Sequence, residues 1–163
     1  MASGDTLLLF GALNNEPPSS APATLDQRNG HPVLDFDAAA NEDAIFTAVM
    51  PQHYAGGGVT VFLHYSMTSA TSGDVDWDVA FERIGDQQQD VDSDGFAAAN
   101  VVNNTTVPGT SGNVDVVSVA FTNGADMDSV AAGEAFRIKV TRDAVSDTAT
   151  GDAELHAVEV RET

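Results

Sequence analysis

The chain has 163 residues, 42% of them hydrophobic, with six Lys and Arg against 25 Asp and Glu and a formal charge of −19 at pH 7. That length suits one domain with its own core, burying about two-thirds of the surface its unfolded form exposes. The charge repels phosphate backbones and anionic lipid heads, so nucleic acid and membrane surfaces are poor partners; the lack of cysteine removes disulfides, thiol catalysis and thiolate zinc sites.

From the N-terminus, Met1–Asp5 carries no basic residue, and Leu7–Phe10 is far too short for a signal core or a membrane span. This predicts a chain without an export signal, made in a host cytoplasm. Thr6–Phe10 reads as a first strand. The following stretch holds Pro17, Pro18 and Pro22 and runs on to Asn29-Gly30-His31-Pro32. Three prolines in six residues forbid a helix and disfavour a central strand. Residues 1–32 thus comprise a first strand and a proline-rich stretch, and two readings remain open for that stretch: a long loop packed on its own domain, or an extended arm on a neighbouring subunit, for which a stiff proline-rich segment loses less entropy on docking.

Residues 33–163 then carry regular strand signals at Val33–Phe36, Ala44–Met50, Val59–Met67, Val75–Arg83, Phe96–Val102, Val114–Phe121, Phe136–Thr141 and Leu155–Val160. Turn clusters such as Gly56-Gly57-Gly58, Thr71-Ser72-Gly73 and Asn123-Gly124 separate them. Short strands at this spacing predict an all-β, antiparallel sandwich of about eight strands, jelly-roll-like, with an extended N-terminal arm or loop. Only Asp126–Ala132 reads as a helical turn. The period of two sends Phe136, Ile138 and Val140 inward and Arg137 and Lys139 outward, and it places Trp77 in the core.

Few residues suggest chemistry. Asp90, Asp92 and Asp94, followed by Gly95, alternate as in a calcium loop, but position twelve is Val101 where an EF-hand has its bidentate glutamate. An acidic turn is the simpler reading, and calcium the one cofactor left open. Asp74, Asp76 and Asp78 share a strand face at about 6–7 Å spacing, and a uniformly solvated ladder is expected rather than a catalytic pair with split environments. His31, His53, His64 and His156 show no metal-ligand spacing, and no nucleophile elbow or phosphate loop is present. No enzymatic activity is predicted.

The segments Leu25–Phe36, Met50–Gly58, Gly73–Arg83, Ala131–Arg137 and Gly151–Leu155 together resemble small β-proteins encoded among structural genes of tailed bacteriophages. Within that class an acidic all-β chain is most similar to head decoration, or cement, proteins. The resemblance implies a homotrimer that binds the major capsid protein on the outer surface of the virion and bridges its subunits. It also implies a contact element within Gly11–Pro32, with Asn14, Pro17, Pro18, Pro22, Arg28 and His31 as its candidate residues. The alternatives are a phage tail or fibre module, and a carbohydrate-binding β-sandwich in which Trp77 or Tyr54 would be an exposed platform.

Overall fold

The computed structural model describes residues 4–163. Its strands are β1 (Thr6–Gly11), β2 (Thr24–Arg28), β3 (His31–Phe36), β4 (Glu42–Val49), β5 (Val59–Met67), β6 (Asp74–Ile84), β7 (Asn100–Thr106), β8 (Asp115–Phe121), β9 (Ala135–Arg142) and β10 (Ala153–Glu162). They form two antiparallel sheets. One has the order β2-β3-β10-β5-β8, with β1 also on β10; the other has the order β4-β9-β6-β7. The result is the expected all-β sandwich, with ten strands in place of about eight.

Alternation explains the layering. On β9 the residues Phe136, Ile138, Val140 and Arg142 are buried while Arg137, Lys139 and Thr141 reach partly into solvent. β5, paired with β10 on one edge and β8 on the other, buries Val59, Val61, Leu63 and Tyr65 while Thr60, Phe62 and His64 reach partly into solvent. Between the sheets, Trp77 of β6 meets Phe36 of β3 edge-on at 5.2 Å and Tyr65 of β5 at 5.4 Å. Phe81 meets Phe121 of β8 at 4.8 Å, and Phe10 of β1 meets Phe46 of β4 at 5.4 Å. Such ring pairs add about 0.5–1.5 kcal/mol each beyond their area. Trp77 is wholly buried, and its indole N–H has no acceptor.

The strand absent from the sequence reading is β2. Its five residues are exposed except for Arg28, and none is aromatic or β-branched beyond Thr24. What fixes it is the two-residue turn Asn29-Gly30, both at positive φ, which closes a hairpin onto β3. Pro32 is tolerated in β3 because β10 pairs only with Leu34, Asp35 and Phe36 of that strand. The segment between β1 and β2 runs along β4 of its own chain: the Glu16 N–H donates to Ile45 O at 2.7 Å, the Asp43 N–H to Ala21 O at 2.8 Å and the Ala23 N–H to Asp43 O at 2.9 Å. The predicted strand from Phe96 begins instead at Asn100, and residues 85–99 form a loop anchored by the Ala97 N–H on Phe81 O at 2.8 Å. The helical turn shrinks to a 3-10 turn, Ala125–Met127.

Arg142 is a charged side chain sealed within the interior. Its side chain, 0% exposed, points inward from β9 and is fully engaged. Nε donates to Asp147 Oδ2 at 2.8 Å, Nη1 to Phe36 O at 3.1 Å and Gly151 O at 2.9 Å, and Nη2 to Ala149 O at 3.2 Å. One guanidinium thus ties β9, the end of β3 in the opposite sheet, and the 143–151 loop. Removing one partner of a buried pair strands the other, at a cost of about 3–5 kcal/mol. Arg142→Ala is therefore expected to lower the thermal midpoint by roughly 10 °C, and an unchanged melt would show that the clamp holds nothing.

Candidate functional site

The outer face of the β4-β9-β6 sheet carries the most elaborate surface. Three rows of cross-strand neighbours build it: Asp43, Thr141 and Asp78; then Ile45, Lys139 and Ala80; then Thr47, Arg137 and Glu82. The two aspartates flank Thr141 and stand two strand spacings, about 10 Å, apart. Loop 85–99 lays Phe96, Ala97 and Ala99 along one side, and Asn41 closes an end. The result is an open groove of about 390 Å³.

Each wall residue is held in place. Thr141 Oγ1 donates to the Asp43 carboxylate. The Asn41 Nδ2 donates to Asp143 Oδ1 at 3.0 Å, while its Oδ1 accepts the Val145 N–H at 3.2 Å. Lys139 Nζ and the Arg137 guanidinium carbon lie 5.2 and 5.4 Å from the centroid of the Phe96 ring, a cation–π geometry that keeps a partly exposed aromatic ordered. Arg137 is engaged by Glu82 at 2.9 Å and Glu16 at 3.8 Å. Lys139 makes no salt bridge among the described residues, which leaves its ammonium for something else.

The Asp74–Asp76–Asp78 ladder is not uniformly solvated. Asp76 is buried and accepts the Asn104 N–H at 2.6 Å, and Asp74 accepts from Thr106 Oγ1 at 2.8 Å. Asp78, half-buried in the groove, has its carboxyl pushed up by burial and by the charges of Asp143 and Asp76, against the pull of Lys139. The sequence reading missed this because the loop that dries the face, 85–99, has no regular pattern.

The residues named from sequence fall in three places. Asn14 caps the turn after β1, its Oδ1 accepting the Gly11 N–H at 2.8 Å. Pro17 and Pro18 lie in the segment along β4, and Pro22 bridges to Asp43 at the rim of the groove. Arg28 and His31 are direct partners on the other sheet. Asp90, Asp92 and Asp94 share an exposed turn whose carboxylates cap backbone: Asp94 Oδ2 accepts the Asp90 N–H at 2.5 Å and Asp90 Oδ1 the Asp92 N–H at 3.1 Å. No group of three or more His, Asp or Glu is placed to hold a metal ion among the described residues. Trp77 and Tyr54 are both buried, so neither is a platform. Asn41, Asp43, Phe96, Lys139 and Thr141 escaped the sequence reading as a set because three separate stretches of chain supply them; the one available hint was an outward lysine on a strand of an otherwise acidic chain.

No family model matches the chain, and no curated protein sequence matches it. Solved structures do. A family 35 carbohydrate-binding module from an environmental isolate is 12% identical at a TM-score of 0.55, covering 94% of this chain and 92% of that one. The CBM22-1 xylan-binding domain from Paenibacillus barcinonensis Xyn10C is 12% identical at 0.54, covering 99% and 96%. A CBM36 module in complex with calcium and xylotriose is 14% identical at 0.52, covering 94% and 99%. At such identities the likeness is one of fold: the sandwich is built as in these carbohydrate-binding modules.

Asp35, on the outer face of the other sheet, shares the situation of Asp78. Burial and the charges of Asp152, Glu154, Asp26 and Glu42 raise it to about 6, and its Oδ1 is buried without a partner. A carboxyl raised in the folded state favours the fold while it is protonated, and that advantage is lost as pH rises from the ordinary carboxylate range through its folded value. Asp35→Asn and Asp78→Asn are therefore expected to raise the thermal midpoint by up to a few degrees at pH 8. The gain should vanish below about pH 4, where both native carboxyls are protonated in the folded and unfolded chains alike. Melts of each variant across pH check the sign.

Proposed function

We propose that this chain is a non-catalytic saccharide-binding module whose ligand lies in the groove over β4, β9 and β6. The observation that carries the reading is the composition of that groove on this fold. Sugars present neighbouring hydroxyls, which both donate and accept, and apolar C–H faces. The groove offers carboxylate acceptors at Asp43 and Asp78, donors at Lys139 and Asn41, a hydroxyl at Thr141, and the ring of Phe96 beside three alanines. A mostly formed cleft with a few fixed polar groups is what small-ligand binding requires. The similar modules named for xylan and xylotriose make β-xylan the first ligand to try.

Lys139 is the energetic centre of this mechanism. Its ammonium lies between the aspartate row and Phe96, and a sugar hydroxyl would give it the acceptor that the protein does not. Asp78, partly desolvated, accepts a hydroxyl proton more strongly than a fully hydrated carboxylate would.

The capsid-decoration reading, with a homotrimer on the major capsid protein at the virion surface, draws no support from the solved structures above. One feature favours it: Leu13 and Leu25, 71% and 55% exposed, lie together at the open edge at β2, where a trimer could cover them. Sedimentation as a trimer of the 16.9 kDa chain, with retention on capsids, would favour it over the module.

Affinity electrophoresis on xylan and calorimetry with xylo-oligosaccharides test the groove. Wild-type protein is expected to be retarded, and Lys139→Ala and Phe96→Ala each to lose at least about tenfold in affinity, or 1.4 kcal/mol, with the melt unchanged. Equal binding by both variants would remove the groove. Release of reducing ends dependent on Asp78 would overturn the non-catalytic part.

A further inference from the structure

The sheet opposite the groove has its own outer surface, and the fold gathers the imidazoles there. Three of the four histidines, His31, His64 and His156, stand on it with Arg28. The alternation that turns Leu34 inward sends Arg28 and His31 outward as direct partners across β2 and β3. On β10 the register slips between Leu155 and Ala157. The extra residue at that bulge is His156, whose Nε2 comes within 2.9 Å of Ser66 Oγ on β5. Bulges re-aim a side chain at the cost of ladder bonds and are common beside functional sites.

Arg28, His31 and His156 line an open pocket of about 370 Å³, completed by Asn29, Gly112 and Val114. Arg28 is anchored through Nη1 alone, which donates to Met67 O at 2.6 Å and to the Glu154 carboxylate. Its Nε–Nη2 edge makes no hydrogen bond among the described residues and faces Gly112. Gly112 holds φ at +85°, and a Cβ there would sit 2.9 Å from Nη2. Glycine is thus needed both for the turn and to leave room for the guanidinium. No carboxylate lies in the pocket wall, although the chain has 25 acidic residues.

We propose that this pocket binds a small oxyanion (a carboxylate, sulfate or phosphate group, free or carried on a saccharide) between the Arg28 edge and the imidazoles of His31 and His156. A guanidinium edge offers two parallel N–H donors matched to such a group. Protonated imidazole adds a charge-assisted donor. The site lies on the opposite sheet from the saccharide groove and does not depend on that reading.

Binding here is linked to pH. Burial first, and then the positive charges of His31, Arg28 and His64, hold His156 below the usual imidazole range, with Glu154 opposing. An oxyanion reverses that balance, so binding takes up a proton. The charged and titratable groups that act on His156 are Arg28 from β2, His31 from β3, His64 from β5 and Glu154 of β10 itself; the segment entering β8 brings Gly112 and Val114 to the pocket wall and no charge. Asp35 loses its charge in the same direction of pH, which removes a repulsive carboxylate nearby.

The test is a titration with sodium phosphate, with glucuronate and with neutral glucose at pH 5.5 and 7.5, following the imidazole NMR signals of His156 and His31. Saturable shifts are expected with phosphate, glucuronate or both, and none with glucose. Affinity should be tighter at pH 5.5, by up to tenfold for each pH unit over which one proton is taken up and so at most about a hundredfold across the interval. A response to phosphate alone assigns a phosphate-type ion, and one to glucuronate alone a carboxylated sugar; either supports the pocket. His156→Gln and Arg28→Lys, the second keeping the charge but not the fork, should each weaken binding about tenfold with the melt retained. No saturable shift with either anion at tens of millimolar and pH 5.5 overturns the proposal, as does undiminished binding by His156→Gln.

Discussion

Arg142 sets a condition that much of the molecule satisfies around it. A guanidinium sealed between two sheets is stable only when its donors are met, and here one carboxylate and three carbonyls meet them. Those carbonyls belong to β3 and to the 143–151 loop, so satisfying one charge fixes where both go. The consequences reach the surface. The loop presents Asp143, which grips Asn41 at the end of the groove and raises Asp78 through its charge. It ends at Asp152, which adds to the repulsion on Asp35 across the other face. One buried ion pair is therefore linked through its loop to carboxylates on both outer faces of the sandwich.

Those surfaces differ in kind, although both belong to a chain of charge −19. The β4-β9-β6 face sets a row with two aspartates beside a row centred on Lys139, which makes no salt bridge among the described residues. The β3-β10-β5 face concentrates imidazoles and an arginine within a ring of carboxylates. Net charge alone describes neither. It limits the partners that approach from a distance, while the local rows decide what can bind once contact is made.

Much of the architecture was legible because it rests on alternation. The inward march of Phe136, Ile138 and Val140 and the buried Trp77 both follow from a period of two. β2 was not legible by that rule, since an exposed edge strand has no apolar side to alternate; its sign was the Asn29-Gly30 turn, which marks a hairpin whatever the flanking residues. The groove was harder to read. Asp43, Lys139 and Thr141 become neighbours only when β4 and β9 pair in register, and Phe96 reaches them by a loop that obeys no period. The bulge at His156 is likewise a tertiary feature, because nothing local in Leu155-His156-Ala157 demands it.

The distribution of aromatic residues explains why sequence points to the wrong platform. Trp77 and both tyrosines serve the packing between sheets, and so do six of the eight phenylalanines. Phe62 and Phe96 remain, one on each outer face, and each lies beneath cations: Arg161 at 4.1 Å from the Phe62 ring, Lys139 and Arg137 over Phe96. An exposed ring in water is mobile and costs solvation; a cation above it fixes its plane at a gain of about 0.5–1 kcal/mol. The pairing has a chemical consequence for recognition. A ligand that reaches either ring meets a positive charge at the same moment, so each face selects groups able to satisfy both an apolar surface and a cation. On the saccharide-binding proposal, polyhydroxylated rings do so at Phe96, where aspartates complete the set. On the opposite sheet, the cationic pocket formed by Arg28, His31 and His156 favours the anionic side of the same chemistry.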